Sequence, residues 1–204
     1  QSLRAADASH SEQIKWGNES VFNEEHNTLG LFSGVLGGQI VLAGGTSDDY
    51  SRWGRNAVCL SENAGFALYE DVLSKPLAYG ASITLSDGIL CIGGRDSSQC
   101  YKDVFLVTMQ QGKLNVSEDW PPLPFPLSNA AGALLDNKVY LFGGRKSVSP
   151  SRLSDSFFVL DLSNKSRGWK ELPGYPGCVR EDAILVVQNN GVSPCLYLLG
   201  GQTE

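Results

Sequence analysis

The sequence predicts an all-β fold built from four-stranded antiparallel units that repeat along the chain. Glycine is abundant, with 23 residues in 204, while charged residues make up only 19% of the chain, which favours tight turns over amphipathic helices. Four short apolar runs each end in a Gly-Gly pair. The second glycines of these pairs lie 49, 50 and 57 residues apart, and a period of this length is typical of repeat architectures.

The four apolar runs are predicted to be inner strands. Each is apolar on both pleat faces, which suits a strand covered on both sides, and each is too short for a buried helix. With their glycines, the runs span residues 40–45, 89–94, 139–144 and 196–201.

A complete hairpin is predicted before every Gly-Gly pair. A turn-forming segment precedes each run, as at Gly37-Gly38, and a further apolar stretch precedes each turn. These stretches cover residues 31–36, 81–85, 130–135 and 183–187.

Two outer strands are predicted after the Gly-Gly pair, most clearly at residues 103–107 and 155–160, and the fourth strand carries Trp120 or Trp169. We expect these tryptophans to pack between repeats rather than to stack on a sugar. Four-stranded units of about 50 residues arrange radially as blades of a β-propeller. The glycines allow the chain to turn with positive φ and the blades to approach closely where the tryptophan packs.

The predicted organisation has two parts. Residues 1–27 form an N-terminal segment in which Ile14-Lys15-Trp16 supplies an outer strand that closes a blade, and residues 28–204 form the propeller blades, the last of them incomplete. Two arrangements remain open: a small four-bladed ring lacking one strand, or about two thirds of a six-bladed propeller. We favour the second because exposed sheet edges and an unclosed core are liabilities.

Charge and composition exclude several classes of partner. Lys and Arg number 16 against 22 Asp and Glu, a net charge of −6, so the basic surface that nucleic acid requires is not expected. No apolar run approaches the ~18–20 residues of a membrane span. The five cysteines form no CxxC pair, and His10 and His26 both lie in the N-terminal segment, so we expect no metal site. His26 is a conceivable acid or base without a visible partner.

Three phrases of the sequence resemble a particular group of kelch-repeat propellers, the sialic acid mutarotases of the N-acetylneuraminate epimerase family, in their circularly permuted branch. They are Pro-Leu-Ala-Tyr-Gly-Ala-Ser at 76–82, Pro-Leu-Pro-Phe-Pro-Leu-Ser-Asn-Ala-Ala-Gly at 122–132, and Trp-Lys-Glu-Leu-Pro-Gly-Tyr-Pro-Gly at 169–177 followed by Arg180. The resemblance spans about residues 28–201.

The resemblance implies a cofactor-independent isomerase that interconverts the α and β anomers of N-acetylneuraminate or a related sugar, in the periplasm or outside the cell. The alternative is a non-catalytic kelch propeller that binds carbohydrate or protein through its loops. In the family, the catalytic glutamate directly follows the glycine of a blade, and an arginine comes a few residues later. The corresponding positions here are Gly94-Arg95 and Gly144-Arg145, so the resemblance places the catalytic pair in a blade beyond Glu204. Leu77 replaces an arginine often found before Ala-Tyr-Gly.

Three residues are predicted to contact the substrate. Arg180 lies just before an innermost strand, where its planar guanidinium can reach the central funnel and bind a sugar carboxylate; pairing with Glu181 or Asp182 is the alternative. Tyr79 and Asn129 stand at the starts of their own innermost strands and can offer a hydroxyl and an amide, or serve packing. Arg95 and Arg145 are predicted to lie in solvated loops.

Overall fold

The computed structural model of the chain describes residues 2–3, 16–17, 29–61 and 65–203. Apart from two small two-stranded sheets, these residues form three four-stranded antiparallel sheets and one antiparallel hairpin that follow one another along the chain. We call them blades 1 to 4. The all-β propeller prediction is confirmed.

Blades 1 and 2 each use four consecutive strands, hydrogen-bonded in chain order. Blade 1 contains β3 (Phe32–Leu36), β4 (Gln39–Ala43), β5 (Ala57–Ser61) and β6 (Gly65–Tyr69). Blade 2 contains β7 (Ala81–Thr84), β8 (Ile89–Ile92), β9 (Val104–Gln110) and β10 (Lys113–Ser117).

Blade 3 has the same order with a small hairpin inserted after its Gly-Gly pair, and blade 4 is described as a two-stranded hairpin. Blade 3 contains β11 (Ala131–Leu135), β12 (Lys138–Phe142), β15 (Phe157–Asp161) and β16 (Lys170–Leu172), and its inserted hairpin pairs β13 (Arg145–Ser147) with β14 (Arg152–Leu153). A 3₁₀ segment, Leu162–Arg167, joins β15 to β16. Blade 4 contains β17 (Glu181–Asn189) and β18 (Pro194–Gln202).

The first strand of each blade is the innermost one. The first strands of adjacent blades contact each other in the series β3, β7, β11 and β17. The core lies between blades, because each sheet presents one apolar face to its neighbour. Phe32 of blade 1 meets Phe105 of blade 2 edge to face, with ring centroids 5.5 Å apart, and Leu90 of blade 2 clusters with Leu141 and Phe158 of blade 3.

The Gly-Gly pairs permit this close approach, although the contact differs from the one predicted. A Cβ on Gly93 would lie 2.2 Å from the backbone oxygen of Leu127 in the next blade. Gly94 donates its N–H to that same oxygen at 2.8 Å. The arrangement recurs where Gly44-Gly45 meets Leu77 and where Gly143-Gly144 meets Arg180. A backbone carbonyl of the next blade, rather than a tryptophan, therefore requires the first glycine.

The two tryptophans pack against the core between blades 2 and 3, as predicted, but they flank the outermost strands instead of lying in them. Trp120 follows β10, and Trp169 immediately precedes β16. The indole N–H of Trp169 donates to the carbonyl of Pro121 at 2.9 Å, so it ties blade 3 to the segment that leaves blade 2.

The N-terminal predictions are only partly covered by the structure. β1 (Ser2–Leu3) and β2 (Trp16–Gly17) pair with each other in a separate two-stranded sheet. The closing role assigned to residues 14–16 stays a prediction. His10 and His26 lie outside the described residues.

Candidate functional site

Four structurally equivalent residues form a row around the centre of the blades: Gly30, Tyr79, Asn129 and Asp182. Each precedes or begins the innermost strand of its blade, and each has a left-handed backbone, with φ of 64°, 59°, 55° and 53° in chain order. Successive backbone bonds join them, because the N–H of each residue donates to the carbonyl of the one before it, over 2.7, 2.7 and 3.0 Å. The backbone thus holds these side chains beside one another.

The row lines an open, polar pocket of about 250 Å³. All four residues lie in its wall, and the rest of the lining comes from Leu31, Gly80, Ala130 and Ala183, which directly follow them in sequence. The pocket therefore receives a phenol, an amide and a carboxylate from three neighbouring blades. Tyr79 and Asn129 lie at this wall, while Arg180 is not part of it.

Asp182 is the pocket residue that the sequence reasoning missed. Its Oδ1 accepts a hydrogen bond from Nδ2 of Asn129 at 2.8 Å, which orients both side chains. The Oδ1 of Asn129 is buried and has no hydrogen-bond partner among the described residues. A buried acceptor of this kind is normally satisfied by water or a ligand. Alignment of the repeats could have found it, because Arg180 is equivalent to Leu77 and Asp182 follows Arg180 by two positions, as Tyr79 follows Leu77.

The pKa of the Tyr79 phenol is raised above its ordinary value. Burial is the largest cause, and a hydrogen bond with Tyr50 acts in the same direction, whereas the nearby charge of Arg95 opposes them. The hydroxyl therefore keeps its proton at neutral pH. That proton is engaged in the hydrogen bond with Tyr50, while the Tyr79 oxygen can still accept a hydrogen bond from a hydroxyl group in the pocket.

Arg95 is half-buried against aromatic rings, so the prediction of a solvated loop was wrong for it. The central carbon of its guanidinium lies 4.7 Å from the ring centroid of Tyr79, 5.1 Å from that of Trp53 and 5.9 Å from that of Tyr50. Burial of the stem and the attraction of the cation for these rings explain why it leaves the solvent.

Arg145 was also wrongly predicted to be solvated. Its guanidinium forms a two-pronged ion pair with the carboxylate of Glu181 in the next blade, through Nε at 2.8 Å and through Nη2. The side chain of Glu181 is 9% exposed and that of Arg145 is 27% exposed. The hydrogen bond with Glu181 is the main cause that raises the pKa of Arg145, against the opposing effect of burial. The pair fastens blade 3 to blade 4.

Arg180 aligns with Leu77 and Leu127, both of which are 2% exposed. Its backbone carbonyl accepts the inter-blade bond from Gly144. Its Nη1 donates to the carbonyl of Gly200 at 2.7 Å, rather than pairing with Glu181. A substrate contact at Arg180 stays a prediction.

The described part of the chain contains no group of three or more His, Cys, Asp or Glu side chains arranged to hold a metal ion. No helix among the same residues is long and apolar enough to cross a membrane.

The comparisons with known proteins agree with this architecture. A family model described as the kelch motif matches residues 126–173. The chain is 32% identical over 101 residues to the N-acetylneuraminate epimerase of Vibrio cholerae serotype O1, covering 50% of this chain and 23% of that protein. It is also 32% identical over 85 residues to the N-acetylneuraminate epimerase of Yersinia pestis strain Pestoides F, covering 42% and 19%.

A third relative, from the same Vibrio cholerae strain as the first, carries only the name Kelch domain-containing protein; identity is 32% over 81 residues, covering 40% of this chain and 20% of that one. A solved structure titled "Structure of YjhT" superimposes with a TM-score of 0.68 at 13% identity, covering 85% of this chain and 62% of that chain. The match therefore spans about a fifth of the length of these curated relatives. The chain has a β-propeller fold with a match to the kelch motif in residues 126–173, and it is similar to the N-acetylneuraminate epimerases over part of their length.

Proposed function

We propose that the protein is a mutarotase-like isomerase that interconverts the α and β anomers of N-acetylneuraminate or a related acidic sugar, with its sugar site at the pocket lined by Tyr79, Asn129 and Asp182. One observation carries the proposal: three blades bring a phenol, an amide and a carboxylate to one central pocket. The names of the Vibrio and Yersinia relatives supply the substrate class.

The pocket contains the groups that anomer exchange needs. The sugar ring opens when the anomeric hydroxyl gives up a proton and the ring oxygen receives one, and it recloses from the other face by the reverse transfers. Asp182 is the carboxylate of the pocket wall, so it is assigned both transfers: it accepts the proton of the anomeric hydroxyl and then delivers that proton to the ring oxygen. Asn129 orients this carboxylate through the 2.8 Å hydrogen bond, and the oxygen of the protonated Tyr79 accepts a hydrogen bond from a sugar hydroxyl.

The reaction on the protein can be followed by NMR with freshly released α-N-acetylneuraminate. The protein is expected to accelerate anomer exchange over buffer, and Asp182→Asn to lower this acceleration at least about tenfold, since proton transfer by a positioned group contributes ~10²–10⁴-fold. No acceleration by the unaltered protein would refute the proposal.

Asp136→Asn is the matched control. Asp136 lies in the hairpin turn between β11 and β12 and shares the left-handed backbone of Asp182, with φ of 48° against 53°. Asparagine tolerates that conformation as well as aspartate does. The control therefore makes the same chemical change at the same backbone geometry outside the pocket, and it is expected to leave the exchange rate unaltered.

The second candidate is a propeller that binds a sugar or a protein without catalysis. Two observations favour it. A relative with the same 32% identity is named only for its kelch domain. Arg95 and Arg145 also occupy the positions after Gly-Gly at which the resemblance leads us to expect the catalytic glutamate. Sugar binding without faster anomer exchange would select this candidate over the isomerase.

A further inference from the structure

A cluster of three aromatic rings and one arginine stands beside the central pocket. We call Tyr50, Trp53, Tyr79 and Arg95 the rim cluster. Its three rings contact each other, with centroids 6.3 to 6.5 Å apart, and all three surround the guanidinium of Arg95 within 6 Å. Tyr79 belongs both to the rim cluster and to the pocket wall, so the arginine and the pocket share one side chain.

The equivalent arginine of the next blade shows what Arg95 lacks. Arg95 and Arg145 each follow a Gly-Gly pair and each bridges to the residue before the pocket row, Ala78 or Ser128. Arg145 is neutralised by Glu181 of the following blade. The residue at the position of Glu181 is Ser128 in the blade that follows Arg95, and a serine carries no charge.

No other carboxylate among the described residues pairs with Arg95 in the way that Glu181 pairs with Arg145. Among the residues that the structure describes, none forms an ion pair with Arg95, and the side chain of Arg95 donates a long hydrogen bond of 3.4 Å from Nη1 to the carbonyl of Asp96. The carboxylate of Asp96 is occupied elsewhere, because it accepts from Tyr101 Oη at 2.6 Å and from the Ser98 and Gln99 backbone. Arg95 is thus a half-buried cation without a matching anion.

A guanidinium against aromatic rings is well prepared to bind a carboxylate. The rings replace part of its water and restrict its rotamers, while its N–H groups lie in its own plane and stay available for a planar, two-pronged contact. A carboxylate at the rim would complete for Arg95 the pairing that Glu181 completes for Arg145.

We infer that Arg95 binds the carboxylate of the acidic sugar whose ring occupies the adjoining pocket. The inference rests on the proposed sugar site. It assigns the selection of acidic over neutral sugars to the rim cluster, whereas the pocket wall handles the hydroxyl groups.

Isothermal titration calorimetry with N-acetylneuraminate and with its uncharged methyl ester tests this assignment. The unaltered protein is expected to bind the acid about 10- to 100-fold more tightly than the ester, as the loss of a charge-assisted contact predicts. Arg95→Gln is expected to abolish that preference and to bind the ester as before. Arg95→Lys is expected to keep part of it, because a lysine retains the charge but not the planar fork.

Arg167→Gln is the matched control, since Arg167 is exposed at the end of the 3₁₀ segment, and it is expected to preserve the preference. If Arg95→Gln does not fold, the Nε–Hε NMR signal of Arg95 in the unaltered protein decides the question, because it must shift with the acid and not with the ester.

The outcomes separate this inference from the proposed function. Equal affinity for acid and ester, or an Arg95→Gln variant that still prefers the acid, overturns the role of Arg95 and leaves the isomerase proposal intact. Binding that depends on Arg95 without faster anomer exchange supports the role of Arg95 and overturns the isomerase. Binding of neither compound overturns both.

Discussion

Replacing Gly93 by alanine tests the reasoning on which the blade arrangement depends. Gly93 is the first glycine of its pair and has φ of 64°. The added Cβ would lie 2.2 Å from the backbone oxygen of Leu127, where ordinary contact begins near 3.4 Å. The neighbour is a backbone atom rather than a flexible side-chain end, so blades 2 and 3 must move apart.

Two costs follow from this geometry. An alanine in the left-handed conformation costs ~1–2 kcal/mol. Moving Leu127 away also breaks the 2.8 Å hydrogen bond that its carbonyl accepts from Gly94, and a buried backbone donor left unpaired costs ~1–3 kcal/mol. The expected loss of unfolding free energy is therefore about 2–5 kcal/mol.

Gly112→Ala separates the two costs. Gly112 has φ of 73° in the turn between β9 and β10, and a Cβ there would meet no heavy atom within 4 Å. It should lose only the ~1–2 kcal/mol of backbone strain. Urea denaturation followed by tryptophan fluorescence compares the variants. If Gly93→Ala is destabilised no more than Gly112→Ala, close approach of the blades is not the reason for the first glycine.

Two further predictions concern charged groups. Glu181→Gln leaves Arg145 half-buried without its carboxylate, so we expect a loss of about 2–4 kcal/mol in urea denaturation, slightly below the range for a fully buried pair because Arg145 is partly exposed; a loss under about 0.5 kcal/mol would contradict it. Burial tends to raise the pKa of Asp96, but hydrogen bonds from Tyr101 and nearby backbone amides outweigh this and lower it to about 2. Since the folded pKa is depressed, its stabilisation is present above the ordinary value near 3.8 and is lost as the pH falls towards 2. Thermal melts should therefore decline less steeply from pH 4.5 to 2 in Asp96→Asn, and parallel curves would refute the assignment.

The repeat could be predicted from sequence because its determinants are local. Gly-Gly pairs, hairpin turns and short apolar runs lie within about 20 residues of one another, and each has a backbone cause that operates without knowledge of the whole fold. The same register placed Tyr79 and Asn129 at the starts of their innermost strands. The structure confirms these elements.

The site was harder to predict because it depends on contacts between blades. Arg145 meets Glu181 at a separation of 36 residues, and Arg95 meets Tyr50 across two blades. Neither pairing has a local signature. Arg180 was predicted from its place before an inner strand and from the resemblance, and its role in substrate binding stays a prediction. Alignment of the repeats shows that its backbone forms the inter-blade bond and that Asp182, two residues further on, is the equivalent of Tyr79 and Asn129.

The row of pocket residues explains how this fold can acquire a function without losing its packing. Gly30, Tyr79, Asn129 and Asp182 share one backbone conformation and one pattern of inter-blade bonds, although their side chains have nothing in common. Because the backbone bonds are formed whatever the side chain is, these bonds do not dictate which residue stands at each position. A non-glycine residue nevertheless costs roughly 1 kcal/mol or more in this conformation, a cost that the ring contacts of Tyr79 and the hydrogen bond between Asn129 and Asp182 offset in part. Three side chains that line one pocket, each with a different polar group, are what the proposed sugar site requires.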